Sequence, residues 1–314
     1  MTPTTRIYRD ANMDAPIPVA SVRAIRLAAP GRGDDLQLRI SAPIEGRDLP
    51  VIVFSHGFGS SMDGYAPLAD YWAAHGFVVI QPTHLDSRRM GLAEDDPRSA
   101  SIWRIRVEDV KRALDHLALL ERALPGLAGR VDHGRIAAVG HSFGGHTTAL
   151  LLGARMVGLE GGEGEDLSDA RIGAGILMAA GGRGGKDLSA FAAEHLPYLG
   201  VDFAPLRVPT LVVAGDQDRS PLTVRGPDWF YDPYYLSPNG RALLTLHGGE
   251  HLLGGISGYT VTETSDESPE RVALIQRMSA AFLRSALDPG DTAWPDVCDA
   301  LRNETEPQGH VLVK

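Results

Sequence analysis

The chain has 314 residues, 43% hydrophobic and 22% charged, a composition of ordinary globular proteins rather than of disordered or fibrous ones. A net charge of −10 disfavours a nucleic-acid partner. No apolar run approaches the length of a membrane span, and a single cysteine, Cys298, excludes an internal disulfide.

Residues 1–20 are polar and proline-punctuated and read as a surface arm. The start Met1-Thr2-Pro3-Thr4-Thr5-Arg6 lacks the apolar core of a leader, and the lone Cys298 suits a reducing compartment, so the predicted location is the cytoplasm. Cys298 lies in a polar segment and reads as incidental. Ser21 to Ala29 and Leu36 to Ala42 alternate apolar with polar residues across the turn Pro30-Gly31-Arg32-Gly33-Asp34, which predicts an antiparallel hairpin with one face solvated. Val51-Ile52-Val53-Phe54 is a continuous apolar run, the pattern of a strand covered on both faces, and it ends in the glycine-rich Ser55-His56-Gly57-Phe58-Gly59-Ser60-Ser61.

Tyr65 to His75 has helical spacing and stops at Gly76. Phe77 to Ile80 is a further buried strand, closing with Gln81-Pro82-Thr83-His84, and Leu85 to Ala100 reads as loop. Ile102 to Leu124 predicts one helix with Ile105, Val110, Leu114, Leu117 and Leu119 or Leu120 on its apolar face. Strands are predicted at Arg135 to Val139, Ile172 to Ala180, Thr210 to Ala214 and Ala242 to Leu246. Gly153 to Asp169 is acidic and glycine-rich, a surface loop rather than a phosphate cradle, because its carboxylates would repel phosphate. Two long connections, 183–208 with a short helix over Leu188 to His195 and 219–240 with Trp229, Phe230, Tyr231, Tyr234 and Tyr235, are candidate lids. Those aromatics either line a pocket or pack their own loop. Pro269 to Ala286 is an amphipathic helix, and 288–314 reads as a polar tail over the surface. Strands alternating with helices, without repeat or linker, predict one α/β domain over 1–314 with a mostly parallel sheet.

Chemistry concentrates at Gly140-His141-Ser142-Phe143-Gly144-Gly145, which joins the strand Arg135 to Val139 to the helical run Thr147 to Leu152. Gly-x-Ser-x-Gly is a weak signal alone, but in a strand-to-helix turn it is a nucleophile elbow. Gly140 and Gly144 fit because a side chain there would strike the neighbouring strand or helix. In a parallel sheet the strand ends at Gly57, Ser142, Asp218 and His251 share one rim. A serine hydroxyl needs an imidazole to take its proton and a carboxylate to orient the imidazole, and the chain order serine, aspartate, histidine is the one α/β-hydrolases use. The backbone amides of Phe58 and Phe143 are placed to hold a developing oxyanion.

Asp216 competes with Asp218, and His247 with His251; Asp216 reads as a turn residue and His247, closer to the strand, as a structural hydrogen-bonding group. His56 reads as a loop brace bonded to backbone, and His141 as pointing away from the nucleophile. His84, His133 and His195 lack metal-ligand spacing, so no metal and no cofactor is expected.

The sequence resembles α/β-hydrolases of the branch containing platelet-activating-factor acetylhydrolases, chlorophyllase-like and dienelactone-hydrolase-like proteins. The likeness lies in Val53-Phe54-Ser55-His56-Gly57-Phe58-Gly59, in Ala74-His75-Gly76-Phe77-Val78-Val79 and in Gly140 to Gly145, within residues 20–287. It implies Ser142 as nucleophile, Asp218 as acid by its Gly-x-x-Asp spacing from Gly215, His251 as base, and Phe58 and Phe143 as oxyanion donors. The apolar membrane-binding helices of the acetylhydrolases have no counterpart here, and dienelactone hydrolases carry cysteine where Ser142 stands. The expected activity is hydrolysis of a small or medium acyl ester. The alternatives are an acyltransferase or lipase-type enzyme on longer chains, and an idle ligand-binding relative.

Overall fold

The computed structural model describes residues 15–93, 95–157, 164–260 and 264–314. Most of the expected arm, 1–14, and the middle of the acidic loop, 158–163, lie outside the described residues.

β1 (Val19–Leu27) and β2 (Leu36–Pro43) pair antiparallel, as their alternation predicts. A bulge between Val22 and Ile25 carries Ala24 at a positive φ of 59° and bends β1 across the sheet edge. β3 (Leu49–Ser55) and β4 (Val78–Thr83) are almost wholly buried; β4 continues through Pro82, beyond the apolar run that announced it. Between them lies α1 (Ala66–Ala74). The single helix predicted over Ile102 to Leu124 is two, α2 (Ile102–Asp115) and α3 (Leu117–Ala123). The break is His116, whose φ of −108° leaves the helical region and whose ring Nδ1 donates to the Arg112 carbonyl at 2.9 Å.

β5 (Val131–His141) leads through Ser142 into α4 (Phe143–Leu151). β6 (Arg155–Met156) forms a separate two-stranded ribbon with a later strand; β7 (Ile172–Met178) returns to the main sheet. The first long connection holds α5 (Ala190–His195), capped by Ser189 Oγ on the Ala192 amide, and β8 (Val201–Asp202), the partner of β6. Then come β9 (Thr210–Gly215), α6 (Asp232–Leu236), β10 (Gly240–Leu246) and α7 (Pro269–Leu287). Ser268 caps α7 through the Arg271 amide, with Pro269 in the first turn, where its missing N–H costs nothing.

Residues 288–314 are not the surface tail that their composition predicts. They fold into α8 (Ala293–Arg302) and β11 (Gly309–Val313), and β11 pairs antiparallel with β10 from Leu246↔Gly309 to Ala242↔Val313. Cys298, read as incidental, is a buried core residue of α8.

Among the described residues nine strands make one sheet in the order β1-β2-β4-β3-β5-β7-β9-β10-β11, with parallel pairing from β4 across to β10. Alternation along each strand divides the core between two faces. Ile52 and Phe54 join Trp72, Leu274 and Met278 on one side, whereas Val51 and Val53 join Val107, Val110 and Leu150 on the other. Trp72, fully buried between sheet and α7, donates its indole N–H to Ser279 Oγ at 2.8 Å, so no polar atom of that ring is stranded. No helix among the described residues is long and apolar enough to cross a membrane.

Candidate active site

Ser142 sits between β5 and α4 at φ 54°, ψ −119°, a strained conformation for a residue with a Cβ. The glycines around it explain how the turn closes so tightly. A Cβ on Gly140 would lie 2.1 Å from the Gly144 carbonyl oxygen, and one on Gly144 would lie 1.9 Å from the Ser55 carbonyl oxygen. Helix α4 therefore rests directly on the ends of β3 and β5.

Asp218 and His251 arrive on the loops after β9 and β10, which are tied together. Gln217 N–H donates to the Gly249 carbonyl at 2.9 Å, and Gly248 N–H donates to Asp216 Oδ1 at 2.8 Å. Gly215 permits this approach, since its Cβ would lie 2.0 Å from the Gly249 carbonyl oxygen. Asp216 thus braces the neighbouring loop rather than its own turn. Asp266 adds a second brace: its Oδ2 accepts from the Glu250 and Gly254 amides on either side of His251, at 2.8 and 3.0 Å.

These supports bring three side chains into line. His251 Nε2 lies 2.8 Å from Ser142 Oγ, and His251 Nδ1 lies 2.9 Å from Asp218 Oδ2 and 3.2 Å from Oδ1. With Nδ1–H donating to the carboxylate, Nε2 keeps its lone pair for the serine hydroxyl. Asp218 is fully buried, whereas Ser142 is half-buried and the His251 side chain is 40% exposed, so the acid end of the line alone is dry. His247 points elsewhere, bonding the Pro307 carbonyl and His310.

The amide of Phe143 opens α4 and is one of the donors a helix start leaves without an intrahelical partner. Phe58 lies on the β3–α1 loop, its ring centroid 6.5 Å from that of Phe143. His56 Nδ1–H donates to the Gly57 carbonyl at 2.7 Å, and a trans peptide points the following Phe58 N–H the opposite way. His56 Nε2 accepts the His84 amide at 3.0 Å, so both ring nitrogens bond backbone, and burial holds the ring neutral with a pKa near 4. His141 also turns away from Ser142: Nδ1 takes the Tyr65 hydroxyl at 2.8 Å and Nε2 donates to the His251 carbonyl at 2.8 Å. Burial, with His251 nearby, depresses its pKa to about 3.

Two hollows meet at Ser142. One is a cavity of about 300 Å³ floored by Ala179 and Gly181. Its walls come from both long connections: Leu196, Tyr198 and Leu199 from the first, Leu222, Trp229 and Phe230 from the second. Of the loop aromatics, Trp229 and Phe230 therefore line the cavity, Tyr234 packs on Val212 and Leu243, and Tyr235 is exposed. The connections are tied together by Ser189 N–H on the Leu222 carbonyl at 2.9 Å and by Arg225 bridging Asp187 and Asp232. The second hollow, about 760 Å³ and open, runs past Ser60, Asp63, Arg88 and Arg89.

Sequence reasoning missed the groups beneath the site. Arg106 is fully buried and donates to both oxygens of Asp86, at 2.7 and 2.8 Å. Of the apolar positions expected on this helical stretch, Val110, Leu114, Leu117 and Leu120 are buried and Ile105 is half-buried; in the first turns the core side is taken instead by Ile102, Arg106, Val107 and Asp109. The available signal was two charged residues at positions where a core-facing helix repeats apolar ones.

A family model described as Alpha/beta hydrolase family matches residues 52–310, and the chain belongs to that family. Cutinase est2 of Thermobifida alba is 26% identical over 249 residues, 78% of this chain and 66% of that protein. Cutinase 2 of Thermobifida cellulosilytica is 26% identical over 305 residues, 95% of this chain and 92% of its own length. A platelet-activating factor acetylhydrolase of Cavia porcellus is 27% identical over 142 residues, 34% of this chain and 32% of that protein. The family match bears out the predicted α/β-hydrolase fold, and these relatives support the predicted enzyme class, a carboxylic-ester hydrolase.

Proposed function

We propose that the chain is a serine esterase that works through an acyl-enzyme on Ser142. The observation that carries this reading is the hydrogen-bonded line Ser142–His251–Asp218, with links of 2.8 and 2.9 Å, opening on an apolar cavity. Ser142 Oγ attacks the ester carbonyl while His251 Nε2 takes its proton, and Asp218 stabilises the imidazolium. The Phe58 and Phe143 amides hold the oxyanion. His251 returns the proton to the departing alcohol; it then deprotonates a water that attacks the acyl carbonyl, and hands that proton to Ser142 Oγ as the bond to the acyl group breaks and the acid leaves.

The smaller, apolar cavity suits the acyl group and the wider hollow the alcohol. At roughly 30 Å³ for a group the size of water or a methylene, about 300 Å³ suits a chain of up to about ten carbons. Cutinase relatives fit this reading as ester hydrolases. The test is hydrolysis of p-nitrophenyl esters from acetate to palmitate by wild type and Ser142→Ala. We expect a Ser142-dependent profile that peaks at or below about ten carbons. Activity surviving in Ser142→Ala would overturn the nucleophile, and a palmitate optimum would overturn the pocket assignment.

A further inference from the structure

We propose that Arg106 is a positioning residue that sets the two oxyanion-binding amides relative to each other, an inference that rests on the serine-esterase reading. Its guanidinium touches both donor segments at once. Nη2 donates to the His56 carbonyl, two residues before the Phe58 amide. Nε donates at 3.0 Å to Thr147 Oγ1, which itself donates at 3.1 Å to the Phe143 carbonyl in the first turn of α4. The guanidinium carbon also lies 4.6 Å from the centre of the Phe143 ring. The two segments are in backbone contact at this spot, since a Cβ on Gly144 would lie 2.7 Å from the His56 carbonyl oxygen.

Arg106 is itself fixed from behind. Asp86 takes Nη1 on both oxygens, and Ser55 Oγ lies 3.4 Å from Nη2. Ser55 Oγ is 2.8 Å from His84 Nε2, and His84 Nδ1 is 3.0 Å from Asp109 Oδ2, which pairs with Arg32. This second serine–histidine–aspartate line resembles a catalytic one, yet none of its members is more than 1% exposed, so no substrate reaches it. It anchors the floor under the oxyanion loop. Only a guanidinium offers donors in a planar fork that can serve Asp86, His56 and Thr147 together; an ammonium is a point charge with three.

The experiment compares wild type with Arg106→Lys on p-nitrophenyl butyrate. Turnover is counted per serine labelled by a fluorophosphonate, and n-butylboronic acid serves as the tetrahedral mimic. Removing one oxyanion donor costs roughly 100- to 1000-fold in kcat, so displacing one should cost about 10- to 100-fold. We expect that loss in kcat per labelled site, KM within about threefold, and boronate affinity weakened in parallel with kcat/KM. A purely structural role would lower the labelled fraction and Tm and leave kcat per site unchanged. The double variant Arg106→Met/Asp86→Leu removes both charges together, which buried pairs tolerate in the fold; the same kcat loss is expected there. Either variant, folded, with kcat per site within twofold of wild type and unchanged boronate affinity overturns the proposal. If Ser142→Ala remains active, the esterase mechanism itself falls; if it is inactive while Arg106→Lys is unimpaired, only the positioning role falls.

Discussion

Asp218→Asn keeps the shape of the buried acid and removes its charge. In the wild type the carboxylate meets His251 Nδ1 at 2.9 Å without solvent access. Once His251 has taken the serine proton, two unit charges stand about 4 Å apart, an attraction of about 4 kcal/mol at an effective dielectric constant near 20. At about 1.4 kcal/mol per decade, that is about three powers of ten in rate. An asparagine can also turn its N–H towards Nδ1, which leaves the ring proton on Nε2, where it blocks transfer from Ser142. The expected loss in kcat is therefore roughly 1000- to 10,000-fold. The assay is saturation kinetics on p-nitrophenyl butyrate, with circular dichroism to establish the fold and Asp216→Asn as the paired control. Asp216 Oδ1 accepts the Gly248 amide, a role the asparagine oxygen retains, so that variant should stay within about twofold. Asp218→Asn retaining more than about a tenth of wild-type kcat, or Asp216→Asn losing as much, would refute the assignment.

Acid should unfold the protein early. Burial holds His141 near 3, His56 and His146 near 4, and His84 well below the ordinary 6.5, so these rings stay neutral in the fold and charge freely in the unfolded chain. Their stabilisation is complete above about pH 6.5 and is lost as pH falls towards their folded values, by up to roughly 1.4 kcal/mol per pH unit for each ring. Asp109 works the other way: burial raises it to about 7, so it takes a proton in the fold before the unfolded chain does and partly offsets the loss. Four rings against one carboxyl leave a net fall, and the urea midpoint should drop between pH 7 and pH 5; an equal or higher midpoint at pH 5 contradicts this. Gly144→Ala places a Cβ against two backbone carbonyls, 1.9 Å from that of Ser55 and 2.7 Å from that of His56, and neither oxygen can swing aside. It should cost about 1–3 kcal/mol and lower Tm, with kcat falling as Phe143 moves; an unchanged melting curve would show that α4 does not rest on β3 as described.

The parallel centre of the sheet was legible because its strands are covered on both faces. Val51 to Phe54, Phe77 to Ile80 and Thr210 to Ala214 therefore read as unbroken apolar runs. The C-terminal segment obeys the same physics with a fainter signal. Trp294, Val297, Cys298 and Leu301 fall at i, i+3, i+4 and i+7 and all pack on the core. Pro295 stands in the first turn of α8, where a helix makes no use of its N–H. β11 has only five residues, and its place beside β10 depends on a pairing that local pattern does not encode.

A similar division runs through the active site. Ser142 is legible because its constraint is local: a strained turn, flanked by glycines within five residues, leaves its mark in one short word of sequence. Asp218 and His251 are legible because parallel topology delivers strand ends to one rim and the chain order restricts the choice. Arg106 has no such mark. A charge in an amphipathic helix ordinarily belongs to the solvated face, and that expectation carried the apolar stripe through Ile105. What makes Arg106 tolerable in the core is Asp86, twenty residues upstream, together with a loop carbonyl and a hydroxyl on another helix. None of these partners follows from helical spacing, and a buried charge lacking any one of them would be strongly destabilising. Groups that react can be read where the backbone must adopt an unusual local shape to present them. Groups that hold the reacting atoms in register are readable only once the partners that cancel their charge have been brought together by the fold.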